Sequence, residues 1–335
     1  MKKIVLFLLL SASLAAQQVE FIKLNQNIKD KFSRTKSLTL IDNRADKNLG
    51  TVTYKGETIQ MKFFNEDLKI YVETWFAGDN KTRGNNDITL LLEEIKMDNF
   101  KNTGLARAKI KISSFINRNG KYYFINRYNS SVDFNSKITP NIPKLVSSTI
   151  ETIFSSLIND SYAHIAFSIP IQGSELNNYE TIVKKNIKFL NAPELTNGVY
   201  KDFRSLSILK PETGYHVEKN KKGKVTGVKD SENLLLSGEY VFAYIEEGKI
   251  FRLTPVGFLE MQKDDKGYFV FSSRLELFPP QNGNSGAMIG AMTGGLVGAL
   301  IGSALLDSGA GRRDNSNNLS KIYIDQLTGE YTFEK

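Results

Sequence analysis

Between Leu277 and Leu306 the chain runs for 30 residues without a charged side chain, although 24% of the 335-residue sequence is charged. Within that run Gly286, Gly290, Gly294, Gly298 and Gly302 recur at every fourth position. Spacing of four lines these glycines along one helical face and leaves a groove into which a second helix can settle closely. In water such a helix is poor, because each glycine costs about 1 kcal/mol relative to alanine. The residues between them, among them Met288, Ile289, Leu296, Val297, Leu300 and Ile301, suit lipid or a sealed protein contact. The register therefore predicts a glycine-zipper helix over 286–306, with the five glycines as its helix-packing residues. Straight, these residues reach about 31 Å at roughly 1.5 Å per residue, just enough to span a bilayer core. Four placements are compatible with the pattern: one crossing, a helical hairpin broken at Thr293-Gly294-Gly295, burial within soluble protein or an oligomer, and a Gly-rich linker.

The N-terminus has the grammar of an export signal. Lys2 and Lys3 precede the apolar run Ile4 to Leu10, and Ser11-Ala12-Ser13-Leu14-Ala15-Ala16 supplies small residues before a polar stretch. Residues 1–16 are expected to be a signal peptide, which places the mature chain in the periplasm or cell envelope. Removing the two lysines leaves 42 basic against 36 acidic residues, so the formal charge of +8 becomes +6. The densest basic cluster, Lys219 to Lys224, lies between two strand-like runs and reads as a hairpin turn. No helix presents a basic face, so nucleic acid is not an expected partner. The chain has no cysteine, which excludes disulfides, thiolate metal sites, a cysteine nucleophile and a lipid-bearing cysteine.

The rest of the chain reads as α+β. Ser37 to Asp42, Leu49 to Tyr54 and Thr58 to Phe63 look like strands, followed by a helix from Glu66 to Phe76 capped by Asn65. Ile88 to Ile95 is an apolar run of strand length. Leu105 to Phe115 alternates apolar with basic residues, and Asn117-Arg118-Asn119-Gly120 turns it back onto Lys121 to Phe134. Pro140 and Pro143 open a helix whose stripe is Val146, Ile150, Ile153, Phe154, Leu157 and Ile158. This predicts a mixed α/β domain of sheet plus helices over 37–162. A connecting region follows over 163–195, with strand-like Ile165 to Ile169 and a helix from Asn178 to Leu190. Hairpins with Asp/Glu/Lys-Gly turns predict a β-meander module over 196–280, and residues 319–335 read as one more hairpin.

Constellations that carry chemistry are sparse. Gly283-Asn284-Ser285-Gly286 with His164 evokes a serine protease, but Ser285 opens the glycine-rich run and nothing supplies two barrels around them. Glu93-Glu94, Glu246-Glu247 and Asp264-Asp265 are acidic pairs. The last two fall in expected turns, and strand alternation sends Glu93 and Glu94 to opposite faces. Tyr122, Phe124 and Tyr128 share one face of a strand, which reads as core before it reads as a sugar platform. His216 sits in a hairpin strand, where exposure is the default. No catalytic residue, metal ligand or cofactor-binding residue is predicted.

Two resemblances bear on function. Gly286 to Gly302, followed by Gly309-Ala310-Gly311-Arg312-Arg313, resembles the glycine-zipper segments of Gram-negative envelope proteins, including outer-membrane lipoproteins of the rickettsial antigen type. That resemblance implies membrane association and self-packing rather than an activity, although this chain lacks their lipidated cysteine. Leu40-Ile41-Asp42-Asn43-Arg44 with Leu49-Gly50, within residues 37–162, is similar to YajG-like envelope lipoproteins and bears on fold only. The expected function is a non-enzymatic structural or assembly role in the envelope, with a membrane and a second copy as partners. A soluble periplasmic binding or chaperone-like module with a buried zipper is the alternative.

Overall fold

The computed structural model describes residues 18–100, 105–135, 141–278 and 319–332. In chain order the first half contains β1 (Val19–Ile22), β2 (Thr35–Asp42), β3 (Thr51–Tyr54), β4 (Glu57–Phe63), α1 (Leu68–Asp79), β5 (Asn86–Phe100), β6 (Leu105–Arg118), β7 (Lys121–Asn135) and α2 (Ile142–Ala163). It continues through β8 (Ile171–Gln172), a 3-10 turn (Gly173–Asn178), α3 (Tyr179–Asn186) and α4 (Lys188–Asn191).

Alternation along β6 explains the larger of its sheets. Ala106, Ala108, Ile110 and Ile112 are buried on one face, and β6 becomes the centre of a five-stranded sheet ordered β2-β5-β6-β7-β8. Only the β2–β5 pair is parallel; α1 follows between those strands and lies against β2. Asp67 starts α1 by accepting from the Ile70 amide at 3.0 Å, and Leu68, Val72, Trp75 and Phe76 form its buried side. Helix α2 begins at Asn141, whose side chain accepts from the Lys144 amide, with Pro143 in the first turn, where a missing N–H costs nothing. Its stripe from Val146 to Ile158 packs on β6 and β7 and on the small sheet β1-β4-β3. Each such aliphatic side chain contributes roughly 1.5–3 kcal/mol by leaving water.

The second half contains β9 (Gly198–Tyr200), α5 (Phe203–Ser207), β10 (His216–Lys219), β11 (Val225–Lys229), β12 (Ala243–Glu246), β13 (Lys249–Thr254), β14 (Gly257–Asp264), β15 (Gly267–Ser272), α6 (Arg274–Leu277), β16 (Ser320–Ile324) and β17 (Tyr331–Thr332). All but β10 and β11 join one antiparallel sheet, ordered β17-β16-β15-β14-β13-β12-β9. One continuous apolar core runs from the first sheet, through α2 and α3, to Val270, Ile322, Ile324 and Tyr331 of the second. A smaller cluster of Val199, Val228, Val241 and Tyr244 lies under the β10–β11 hairpin.

The α+β expectation is corrected: the protein is mostly β, with 43% in strands and 23% helical, spread over several sheets. Strands extend through polar stretches where alternation still buries every second residue, as in β5, where Ile95 and Met97 are buried beyond Glu94 and Lys96. The lead-in contributes β1, which pairs in parallel with β4. Helical content falls correspondingly. The helix expected over Asn178 to Leu190 breaks at Ile187 into α3 and α4. Ile165 to Ile169 forms no strand, and Ile165 is 75% exposed. The hairpin around the lysine turn forms a sheet of its own instead of joining the meander.

No helical hairpin occurs near the C-terminal end of the described residues, and no described helix is long and apolar enough to cross a membrane. The glycine-zipper stretch 286–306, with Gly286, Gly290, Gly294, Gly298 and Gly302, lies outside the described residues, as do residues 1–16. What is described is its setting. β15 and β16 are antiparallel neighbours, with Ser272 opposite Ser320, so the uncharged run is an insertion between two adjacent strands of one sheet.

Candidate functional site

Two β-bulges decide which charged side chains meet. In β7 the register steps from Phe115↔Phe124 to Ser114↔Asn126, so Ile125 is an extra residue. The step puts Arg127 opposite Ser113, and Tyr128 opposite Ile112 on the other face. Ser114 bonds Ser161 of α2 at 2.7 Å, which identifies the helix side; Ser113 bonds Tyr179 of α3 at 2.7 Å, which identifies the other. Phe124 therefore stacks on Tyr179, whereas Tyr128 lies on the helix side. The expectation that Tyr122, Phe124 and Tyr128 share one face is corrected by that single bulge, since Tyr128 leaves it.

The second bulge falls between Leu92 and Glu94 in β5. Alternation predicts opposite faces for Glu93 and Glu94, but the bulge suspends it. Glu93 pairs with Lys111 at 2.9 Å and Glu94 with Lys109 at 3.0 Å, and those lysines lie two apart on one face of β6. Both acids thus serve the face that looks toward α3.

There the charges converge. Arg127, 4% exposed, donates from Nε to Asp325 Oδ2 at 2.6 Å and pairs through Nη1 with Glu180 Oε2 at 3.0 Å. Glu180 also takes Lys111 at 2.5 Å, and Glu93 accepts from the Tyr179 hydroxyl at 3.1 Å. Glu180 sits in the first turn of α3, where the helix dipole favours an acid, with Lys184 one turn on at 3.4 Å. Asp325 uses its other oxygen to accept from the Leu327 and Thr328 amides, closing the turn between β16 and β17. One carboxylate therefore shapes the C-terminal hairpin and fastens it to the first sheet.

The charges hold one another ionised, and the cluster forms a clasp between the first sheet, α3 and the C-terminal hairpin. Burial alone would raise the Glu180 carboxyl, but the Arg127 charge and Lys111 outweigh it and hold the group at about 2. Burial likewise works against the charge on Arg127, yet Asp325 and the neighbouring groups raise its pKa well above the usual value. Lys111 is raised in the same way by its two glutamates against its own burial. Tyr179 is driven upward, mainly by burial. Glu180, Arg127, Lys111 and Tyr179 are each pushed away from neutrality, whereas a general acid or base works best near the operating pH.

The remaining candidates fall apart in space. His164 caps α2 at the surface, its Nδ1 2.8 Å from Asp160 O, and His216 is exposed on β10. Glu246 pairs with Lys219 at 2.6 Å, and Asp264 pairs with Lys321 at 2.7 Å. Ser285 lies outside the described residues. Among the described residues no group of three or more His, Asp or Glu is placed to hold a metal. Sequence reasoning missed Arg127, Glu180 and Asp325. The available signal was an arginine amid the aromatic and apolar residues of β7, a position that needs a buried partner.

The chain matches no protein-family model, no curated protein and no solved structure.

Proposed function

We propose that this chain is an exported, non-enzymatic cell-envelope protein whose two-sheet body presents a self-associating glycine-zipper segment to a membrane. The observation that carries the reading is the pairing of Ser272 with Ser320: the uncharged, glycine-registered run departs from and returns to adjacent strands of one sheet. Connections between such strands ordinarily take about 2–5 residues. An apolar insertion of this length has a role of its own, and its composition suits lipid or another zipper. Because both ends belong to one sheet, a segment that enters a bilayer from the body has to come back to the same side. That disfavours a single crossing, and the five-glycine register offers a face for self-association with a second copy.

The export grammar of residues 1–16 and the lack of a lipid-bearing cysteine support an anchor made by the run itself. The clasp supports a holding role, because it fixes the returning chain to the first sheet through Arg127 and Asp325. Carbonate extraction and flotation with vesicles test the proposal. A membrane-retained, floating protein is expected, and one that stays soluble and monomeric overturns it. Gly294→Leu with Gly298→Leu is expected to weaken self-association measured by cross-linking; an unchanged oligomer removes the zipper from the account.

A further inference from the structure

Phe269 and Phe271 fall on one face of β15, and the register sets them opposite Tyr323 and Lys321 of β16. Continuing the alternation by two residues brings Leu319 onto the same face. Phe269 is nearly covered: the Phe271 ring stands perpendicular to it with centroids 5.3 Å apart, the Tyr323 centroid is 5.8 Å away and the Lys321 ammonium lies 4.3 Å from its centroid. Toward the other end of the ladder the face opens, with Phe271 45% and Leu319 59% exposed. Its two ends differ in character. At the Gly267 end lies the turn Asp264-Asp265-Lys266, where Asp264 holds Lys321 at 2.7 Å and Tyr323 at 3.0 Å. At the Leu319 end stand apolar side chains, at the point where the 40 residues outside the described structure, 279–318, rejoin the sheet.

We infer that this end of the β15–β16 ladder, marked by Phe271 and Leu319, is the face of the body that rests in the interfacial layer of a lipid bilayer. The inference rests on the membrane reading above and adds to it which surface meets lipid. The length and position of the inserted chain argue for this occupant. Its uncharged run begins at Leu277, five residues past Ser272, and residues 307–318 lead from its other end back to Leu319, so a run placed in lipid draws this end of the sheet toward the headgroup level. Aromatic and aliphatic side chains flanked by a lysine suit that layer, where rings lie partly in hydrocarbon and charges stay wet. A second exposed aromatic patch, where Phe21 and Phe64 stand 6.1 Å apart beneath Lys23, has no such tether and serves as the comparison.

Because the chain has no cysteine, single-cysteine variants report single sites. Phe271→Cys, Leu319→Cys and Phe64→Cys, each carrying an environment-sensitive fluorophore, are mixed with phosphatidylethanolamine/phosphatidylglycerol vesicles containing lipids spin-labelled near the headgroup. Probes at 319 and 271 are expected to shift to the blue and lose emission to the spin label, while the probe at 64 does neither. If Phe271→Cys fails to fold, the more exposed Leu319 position carries the test alone. A protein that floats with vesicles while the probes at 319 and 271 stay unquenched, or while the probe at 64 is quenched instead, overturns the inference and leaves the membrane reading standing. A protein that does not float overturns both.

Discussion

Arg127 and Asp325, 198 positions apart, meet at 2.6 Å with side chains only 4% and 3% exposed, and their contact ties the C-terminal hairpin to the first sheet. A buried pair of this kind is a poor source of net stability compared with apolar packing, yet losing one partner strands the other in a dry site. Arg127→Met is expected to cost about 3–5 kcal/mol, because buried Asp325 loses its cation while Glu180 keeps Lys111 and Lys184. Asp325→Asn keeps an oxygen for the Leu327 and Thr328 amides and so isolates the loss of charge. Urea unfolding of both single variants and the double is expected to give a double-variant cost well below the sum. Additive costs would show that the two side chains do not act on each other.

The clasp also fixes an acid limit. Glu180 has an ordinary value of 4.5 and is held at about 2 in the fold, so the folded state keeps it ionised where the unfolded chain has begun to take up a proton. Its contribution is complete above about pH 4.5 and is lost as pH falls toward 2. The amount is on the order of 2–3 kcal/mol. Asp42, also held at about 2, titrates in the same window, so the informative comparison is between parent and Glu180→Gln. Denaturant titrations from pH 6 to 2 are expected to show a shallower decline for the variant. Parallel profiles would remove Glu180 from the account.

Gly329 closes the same hairpin with φ at +75°, and its amide donates to Asp325 O at 2.8 Å. A side chain there faces two obstacles: the left-handed backbone and the rings of Phe203 and Phe242, which occupy the space a Cβ would need. Gly329→Ala is expected to destabilise by more than about 1 kcal/mol. Gly120→Ala, at the same φ but with open space around it, is expected to cost less. Thermal melts of the two variants check the order, and equal shifts would mean that the rings yield.

Parts of this architecture are legible in the residues. The alternation of Leu105 to Phe115 reads as a half-buried strand because period two is local, and the stripe from Val146 to Ile158 reads as a helix for the same reason. The clasp is not legible, because it depends on two one-residue steps. Nothing in Phe124-Ile125-Asn126 announces that Ile125 drops out of register, yet that step decides whether Arg127 faces α2 or α3. Leu92-Glu93-Glu94 hides its bulge in the same way, and alternation then misplaces a glutamate. The β content exceeds what local pattern shows for a related reason: β1 acquires its partner β4 across about 40 intervening residues, a pairing that local pattern does not encode. The glycine register is plain in the sequence, and its setting between β15 and β16 comes only from the fold.

The central claim is that the body and the C-terminal hairpin lie on one side of the membrane that holds the run between them. Lys222→Cys, in the exposed turn between β10 and β11, and Thr328→Cys, in the turn between β16 and β17, place one thiol on each in a chain with no other. In sealed, floated vesicles a membrane-impermeant maleimide added outside is expected to label both positions to the same extent, before and after detergent. Labelling at one position while the other reacts only after detergent would mean that the run crosses once, and would contradict the account.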